Sequence, residues 1–175
     1  MTARRTEVLI IGSGAGGATT ALALAERGHH VTVLEEGAAH PLADYGGDAV
    51  TAMQRLYRKR GMTPLMGRVP IGFVEGSCVG GSTEINSGFW HRTPRETVLR
   101  WKAQYGLDVT PEELTPHFEW AEQLLKVSLY GKPWPKSTEV FDRGARAMGW
   151  SGQEVPRAAH DCASSNTCAS GCGRG

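Results

Sequence analysis

The stretch that most restricts how this chain folds is VLIIGSGAGGATTALALAERGHHVTVLEEG, beginning at Val8. Val8 to Ile11 is a short, continuous run of branched apolar residues, the composition expected of a strand buried on both faces. It opens directly onto Gly12-Ser13-Gly14-Ala15-Gly16-Gly17. From Ala18 to Arg27 the residues are rich in Ala and Leu and stop at Gly28, which reads as a helix with a glycine terminator. HVTVLEEG then reads as a second strand. Strand, glycine turn, helix and strand in that order predict an α/β fold founded on a βαβ unit.

That order gives the spacing G-x-G-x-x-G its chemical meaning, since such a spacing alone is weak. Gly12 makes the tight turn, Gly14 with Ala15 beside it lets a pyrophosphate approach the backbone, and Gly17 lets helix and strand pack closely. The phosphates would lie at the helix N-terminus, where free N–H groups and the dipole favour negative charge. An acid is expected about 20 residues on to accept hydrogen bonds from the adenosine ribose. Glu35 stands there. Glu36 is adjacent, but the alternation Val31, Val33, Glu35 favours Glu35. The fingerprint is shared by FAD and NAD(P), because both carry adenosine diphosphate. A carboxylate at the ribose disfavours a 2′-phosphate, which makes NADP the poorest fit.

Composition narrows the partner. The 175 residues carry 19 basic and 18 acidic side chains for a net charge of +1, so no field attracts nucleic acid or an anionic membrane. A small molecule is the expected partner. The 23 glycines exceed the average usage of roughly 7% and cluster without a repeat, which suggests backbone held close to a ligand. The four-residue apolar run before Gly12 is too short for a secretory signal, and no stretch approaches a membrane span. The sequence reads as a soluble cytoplasmic protein. Its length suits one ordinary domain, which buries about 70% of the surface its unfolded form exposes.

A simple nucleotide-binding unit would continue after residue 37 with alternating strands and helices. This chain instead runs through a Gly- and Pro-rich excursion with one short helix expected over Ala49 to Lys59, then reaches a second glycine cluster, GGSTEIN, at Gly80. A return to a glycine turn suggests a second contact with a large cofactor. IIGSGAGGA…VLEEG together with GGSTEIN resembles the N-terminal part of the glucose-methanol-choline (GMC) family of flavin oxidoreductases, whose second signature is G-G-S-[ST]-x-x-N. RWKAQYGLDVTPEELTPHFEWAEQLL and AMGW are looser matches, and the resemblance covers essentially all 175 residues. It implies a Rossmann-like FAD-binding βαβ unit with appended helices, incomplete relative to the full family fold. Gly80 and Gly81 would let the backbone approach the flavin. Ser82 or Thr83 would cap a short helix and bond a phosphate or ribityl oxygen, and Asn86 would lie near the isoalloxazine. Some members attach FAD through a histidine just before this asparagine; Ile85 stands in that place, so noncovalent FAD is expected. Small residues at a turn also form an N–H nest that suits an anion.

Beyond Glu96 the pattern is helical. Thr93-Pro94 opens one helix, and Thr110 as N-cap with Pro111 and two acids opens another. Leu114, Phe118, Ala121 and Leu125 recur at helical spacing as a core stripe. TEVFDRGARAMGW reads as a third helix. Trp101, Tyr105, Trp120 and Trp134 are assigned to packing these helices. His29 and His30 are read as solvent-exposed, and His91 as structural.

Cys162, Cys168 and Cys172 are spaced C-x5-C-x3-C in a loop-rich segment. Three thiolates on one flexible segment suit an iron–sulfur cluster, a zinc site would need a fourth ligand for which only His160 is near, and their bunching is also compatible with no metal. The spacing resembles that of a branch of GMC dehydrogenases whose flavin subunit carries a three-iron cluster, although many relatives have a similar loop with no metal role. Cys78 is read as a small packing residue.

The expected organisation is an FAD-binding region over 1–95 with both glycine motifs, a helical segment over 96–150 and a Cys/Gly-rich loop over 151–175, apparently truncated. The resemblance implies that the catalytic histidine and its His or Asn partner lie in a C-terminal part outside this chain. The first functional expectation is therefore the FAD-binding portion of an alcohol oxidoreductase, dehydrogenase or oxidase, acting on CH–OH groups of an alcohol or a sugar- or sterol-like substrate. It would pass electrons to oxygen or to an acceptor partner and be inactive as a fragment. The alternative is a noncatalytic nucleotide-binding or iron–sulfur electron-transfer module that works with a partner chain.

Overall fold

The computed structural model describes residues 5–45 and 47–159. The chain divides into two compact units between Ser87 and Gly88.

The first unit opens with strand β1 (Val8–Ile11), helix α1 (Ala15–Ala25) and strand β2 (Val31–Leu34). β1 and β2 pair in parallel, Val8 opposite Val31 and Ile11 opposite Leu34. The fold is mixed α/β, a partial Rossmann-like unit, as the apolar runs and glycine punctuation predict. Gly28 ends the α1 turn at φ +85°. Burial of β1 on both faces is not what the structure shows. Ile10 faces α1, close to Gly17, whereas Leu9 and Ile11 on the opposite face are 52% and 74% exposed and Leu34 beside them is 53% exposed. Among the described residues only one face of this two-stranded sheet has a helix against it, so alternate residues stay open.

Helix α2 (Ala49–Leu56) begins where the Asp48 carboxylate accepts the Thr51 N–H at 3.0 Å. It stops three residues before the expected end at Lys59 because its last carbonyl and the residues after it are claimed from elsewhere. Leu56 O accepts the Ser77 N–H, Tyr57 bridges Gly76, and Arg58 N–H donates to Glu75 O. Lys59, Arg60 and Gly61 then take left-handed φ values of 47°, 56° and 78°, which reverses the chain into the antiparallel hairpin of β3 (Thr63–Leu65) and β4 (Ile71–Phe73). Leu56 and Cys78 are the buried apolar residues of this unit among those described. Cys78 is 1% exposed, as its reading as a packing residue requires.

The second unit carries helices α3 (Arg95–Tyr105), α4 (Pro111–Leu124) and α5 (Lys136–Ala147). Gly106 closes α3 in the left-handed region at φ +67°. α4 forms the full capping box: Thr110 Oγ1 accepts the Glu113 N–H at 3.2 Å, and the Glu113 carboxylate accepts the Thr110 N–H at 2.8 Å. Val98 on α3 is 1% exposed. Trp120 and Trp134 are half-buried, and Trp134 donates its indole N–H to Glu154 at 3.2 Å. Tyr105, expected to pack, is 77% exposed at the last turn of α3. Gly88 to Arg92 belong with this unit because of their pairing: Trp90 N–H donates to Pro156 O, Ala158 N–H donates to Gly88 O, and Arg157 exchanges two backbone bonds with Ser128. The extended strip at 156–158 is thus bonded on both sides. Glu122 on α4 receives the Trp90 indole N–H at 2.8 Å and the Arg92 guanidinium at 2.7 and 2.5 Å, and the guanidinium first, then the indole, holds its carboxyl at about 2.

Candidate cofactor site

The site lies in the first unit, and it begins with the turn between β1 and α1. Gly12 has φ +88°, a conformation that L side chains rarely adopt, and its N–H donates to Leu34 O at 2.7 Å. A Cβ on Gly17 would stand 2.0 Å from the Gly12 carbonyl oxygen, so this glycine is what brings the helix onto the turn. Gly14 is extended and open, since a Cβ there would meet nothing nearer than Gly80 O at 3.9 Å, and Gly16 has nothing within 4 Å. Gly14 gives α1 no side-chain cap and its first turn holds no acid, so among the described residues its N-terminal N–H groups have no side-chain cap. Such a cradle fits a diphosphate, with Ala15 at the first helical position.

The carboxylate of Glu35 follows β2 directly. Its Oε2 accepts the Ser13 N–H at 2.8 Å and the Ser13 hydroxyl at 2.7 Å, and its Oε1 accepts the Gly37 N–H at 2.8 Å. The Gly37 N–H first, then the two donors of Ser13, lower its pKa from 4.5 to about 2. It is therefore a fixed anion at the edge of the cradle. Glu36 points elsewhere and pairs with Arg58, which also holds Glu75. The alternation that favours Glu35 over Glu36 is thus matched by where the two side chains go.

The second glycine turn packs against the first. Gly80 N–H donates to Ser13 Oγ at 2.9 Å, and a Cβ on Gly81 would stand 3.3 Å from Gly14 Cα. Gly80 and Gly81 are both left-handed, at φ +92° and +59°. The segment leading into them lies on Gly37, where a Cβ would be 2.3 Å from Cys78 N, and Val79 N–H donates to Ala38 O at 3.0 Å. The short 3-10 turn Gly81–Glu84 has Gly80 as its cap and no side-chain cap bond, so the expected cap by Ser82 or Thr83 is not formed. Ser82 Oγ instead accepts the Gly76 N–H at 3.0 Å, and the Thr83 hydroxyl donates to Gly80 O at 2.7 Å. Both hydroxyls brace the turn itself. Asn86 follows this turn within the same unit.

Two participants escaped the sequence reading. Ser13 is an x position of the fingerprint, and its role depends on Gly80, 67 residues away; that of Gly37, the last residue of HVTVLEEG, depends on the backbone of Cys78. Cys162, Cys168, Cys172 and His160 lie outside the described residues. His91 is exposed in the second unit, and His29 is exposed with its Nδ1 2.5 Å from Glu7.

A βαβ unit whose glycine turn, terminal acid and second glycine turn meet at one place defines a dinucleotide-binding flavoprotein region. Residues 53–175 match the family described as GMC oxidoreductase, and residues 7–83 match the pyridine nucleotide-disulphide oxidoreductase family. This chain belongs to the GMC oxidoreductase family, to its FAD-binding N-terminal region. It is 37% identical to an uncharacterized GMC-type oxidoreductase of Sinorhizobium fredii, over 97% of this chain and 34% of that protein. A long-chain-alcohol oxidase of Arabidopsis thaliana is 28% identical over 98% of this chain and 23% of that protein. A crystal structure of formate oxidase aligns with 64% of this chain and 21% of its own at 24% identity and a TM-score of 0.48. The chain thus spans about a third or less of the length of the relatives it matches. Among the described residues no helix is long and apolar enough to cross a membrane.

Proposed function

We propose that this chain is the part of a GMC oxidoreductase that holds FAD noncovalently, in a protein that oxidises the CH–OH group of an alcohol or a sugar- or sterol-like substrate. The observation that carries the reading is the meeting of the two glycine turns, Gly80 N–H on Ser13 and Gly81 against Gly14. One glycine turn is enough for a diphosphate; a second one stacked on it extends the cradle toward the rest of a larger cofactor. Gly12, Gly14, Ala15 and Gly17 would hold the diphosphate on the α1 N-terminus, and Glu35 would take the adenosine ribose. Gly80, Gly81, Ser82 and Asn86 would line the way to the flavin. When bound, FAD supplies the two-electron acceptor. The chain's own contribution is binding, orientation and a fixed negative charge, and the reading gives none of its residues a proton-transfer role. The alcohol class is supported by relatives named long-chain-alcohol oxidase and, at 27% identity, cholesterol oxidase of Mycobacterium tuberculosis. The iron–sulfur alternative has no comparable support, since neither the family description nor these names speak of such a cluster.

The test is made on the full-length protein. Acid precipitation should leave all yellow colour in the supernatant, because Ile85 stands where a linking histidine would be. Flavin retained in the pellet would overturn noncovalent binding, and a purified protein that neither contains nor takes up FAD would overturn the reading as a whole.

A further inference from the structure

We propose that Ser13 is a positioning residue that divides the work of the Glu35 carboxylate: it commits Oε2 to the protein and leaves Oε1 as the oxygen that meets the adenosine ribose. The proposal rests on the reading of this site as an FAD cradle and goes one step into it.

Each carboxylate oxygen offers two lone-pair directions. Both of those on Oε2 are used by Ser13, through its N–H at 2.8 Å and its hydroxyl at 2.7 Å. Oε1 accepts one bond of this length, from Gly37 N–H at 2.8 Å, and a further donor to the carboxylate, the Glu36 N–H, acts on it more weakly than these three, so Oε1 is the less committed oxygen. The hydroxyl of Ser13 has a single proton and is not free to turn. Its oxygen accepts the Gly80 N–H at 2.9 Å, which sets one lone pair toward the second glycine turn and directs the proton to the carboxylate. One oxygen atom therefore ties together the first turn, the end of β2 and the second turn. A charge-assisted bond of this kind is also stronger than a neutral one, so a ribose hydroxyl does not readily displace it from Oε2.

The consequence for the ligand is an asymmetry. A ribose presents two adjacent hydroxyls, but the carboxylate offers them a single less committed oxygen, Oε1, so one hydroxyl gains a charge-assisted bond and its neighbour does not. ADP, 2′-deoxy-ADP and 3′-deoxy-ADP measure this by calorimetry on the full-length protein stripped of flavin. One deoxy analogue should bind roughly tenfold more weakly than ADP and the other within about twofold, the scale expected for one hydrogen bond to a charged group. In Ser13→Ala, where both donors to Oε2 become one, the two analogues should converge to within about threefold. Ser13→Thr, which keeps the hydroxyl, should restore the asymmetry.

Equal losses for both analogues in the unaltered protein overturn the proposal, and that measurement needs no variant to fold. Asymmetry that survives unchanged in a folded Ser13→Ala protein overturns it too, as does its loss in a folded Ser13→Thr protein. If neither ADP nor FAD binds, the cofactor reading fails and this proposal with it. If both bind without the asymmetry, only the role of Ser13 fails.

Discussion

Hydrogen-bond donors, Gly37 first and then Ser13, hold the Glu35 carboxylate ionised well below its ordinary range, and acid should remove what they contribute. Its folded-state pKa of about 2 lies below the ordinary 4.5. Its contribution to stability is therefore complete above about pH 4.5 and is lost as pH falls toward 2. Glu35→Gln should flatten the acid limb of a denaturation series between pH 6 and pH 3 and weaken FAD binding by roughly an order of magnitude. Parallel acid limbs in the two proteins, or unchanged flavin affinity by fluorescence titration, would take Glu35 out of this role. Two neighbouring glycines give a sharper contrast. Gly17→Ala puts a Cβ 2.0 Å from a backbone oxygen that has no room to yield, and it should destabilise the fold by about 1–3 kcal/mol or more. Gly16→Ala, one residue earlier in the same helix, meets nothing within 4 Å. It should stabilise the flavin-free protein by roughly 0.5–1 kcal/mol through lower backbone freedom in the unfolded chain. Urea midpoints that fail to move in opposite directions would contradict the packing described here.

At the scale of elements, what was legible in the sequence was whatever local chemistry decides. The apolar run of β1, the Ala- and Leu-rich α1 with Gly28 behind it, and the Thr110–Glu113 box of α4 each carry their own start or stop signal and each forms there, although α1 starts at Ala15, three residues before the expected Ala18 and inside the glycine run, and ends at Ala25, two residues before the expected Arg27. The end of α2 was not legible. Nothing in Tyr57-Arg58-Lys59 forbids another helical turn, but backbone bonds to Glu75, Gly76 and Ser77 outbid it. The site divides in the same way. Gly12, Gly17 and Glu35 announce themselves by spacing, and the second glycine cluster by composition. Ser13 and Gly37 do not, because their meaning comes from partners 67 and 41 positions distant, Gly80 and Cys78. The cap expected from Ser82 or Thr83 fails for the same reason: the Ser82 hydroxyl is taken by Gly76, six residues back, and not by a helix end.

For the whole molecule, the open face of the β1–β2 sheet is the feature with the largest consequence for handling the protein. Leu9, Ile11 and Leu34 form an exposed apolar strip on a two-stranded sheet, the kind of surface that recruits another chain. The 175-residue chain by itself should bind a hydrophobic dye strongly and elute partly as aggregates, and Leu9→Thr with Ile11→Thr should reduce both; a monomeric, dye-silent parent chain would count against this. The second unit is closed by a different device, the strip at 156–158 bonded to Gly88 and Trp90 on one side and to Ser128 on the other. That strip is synthesised after all three helices of its unit. On the ribosome, therefore, α3, α4 and α5 emerge first, and the backbone bonds that join Gly88 and Trp90 to Ser128 through this strip form only when Pro156 to Ala158 have left the exit tunnel. A translational pause placed before this strip would prolong the interval in which Gly88, Trp90 and Ser128 lack these backbone partners, and one placed after it would not.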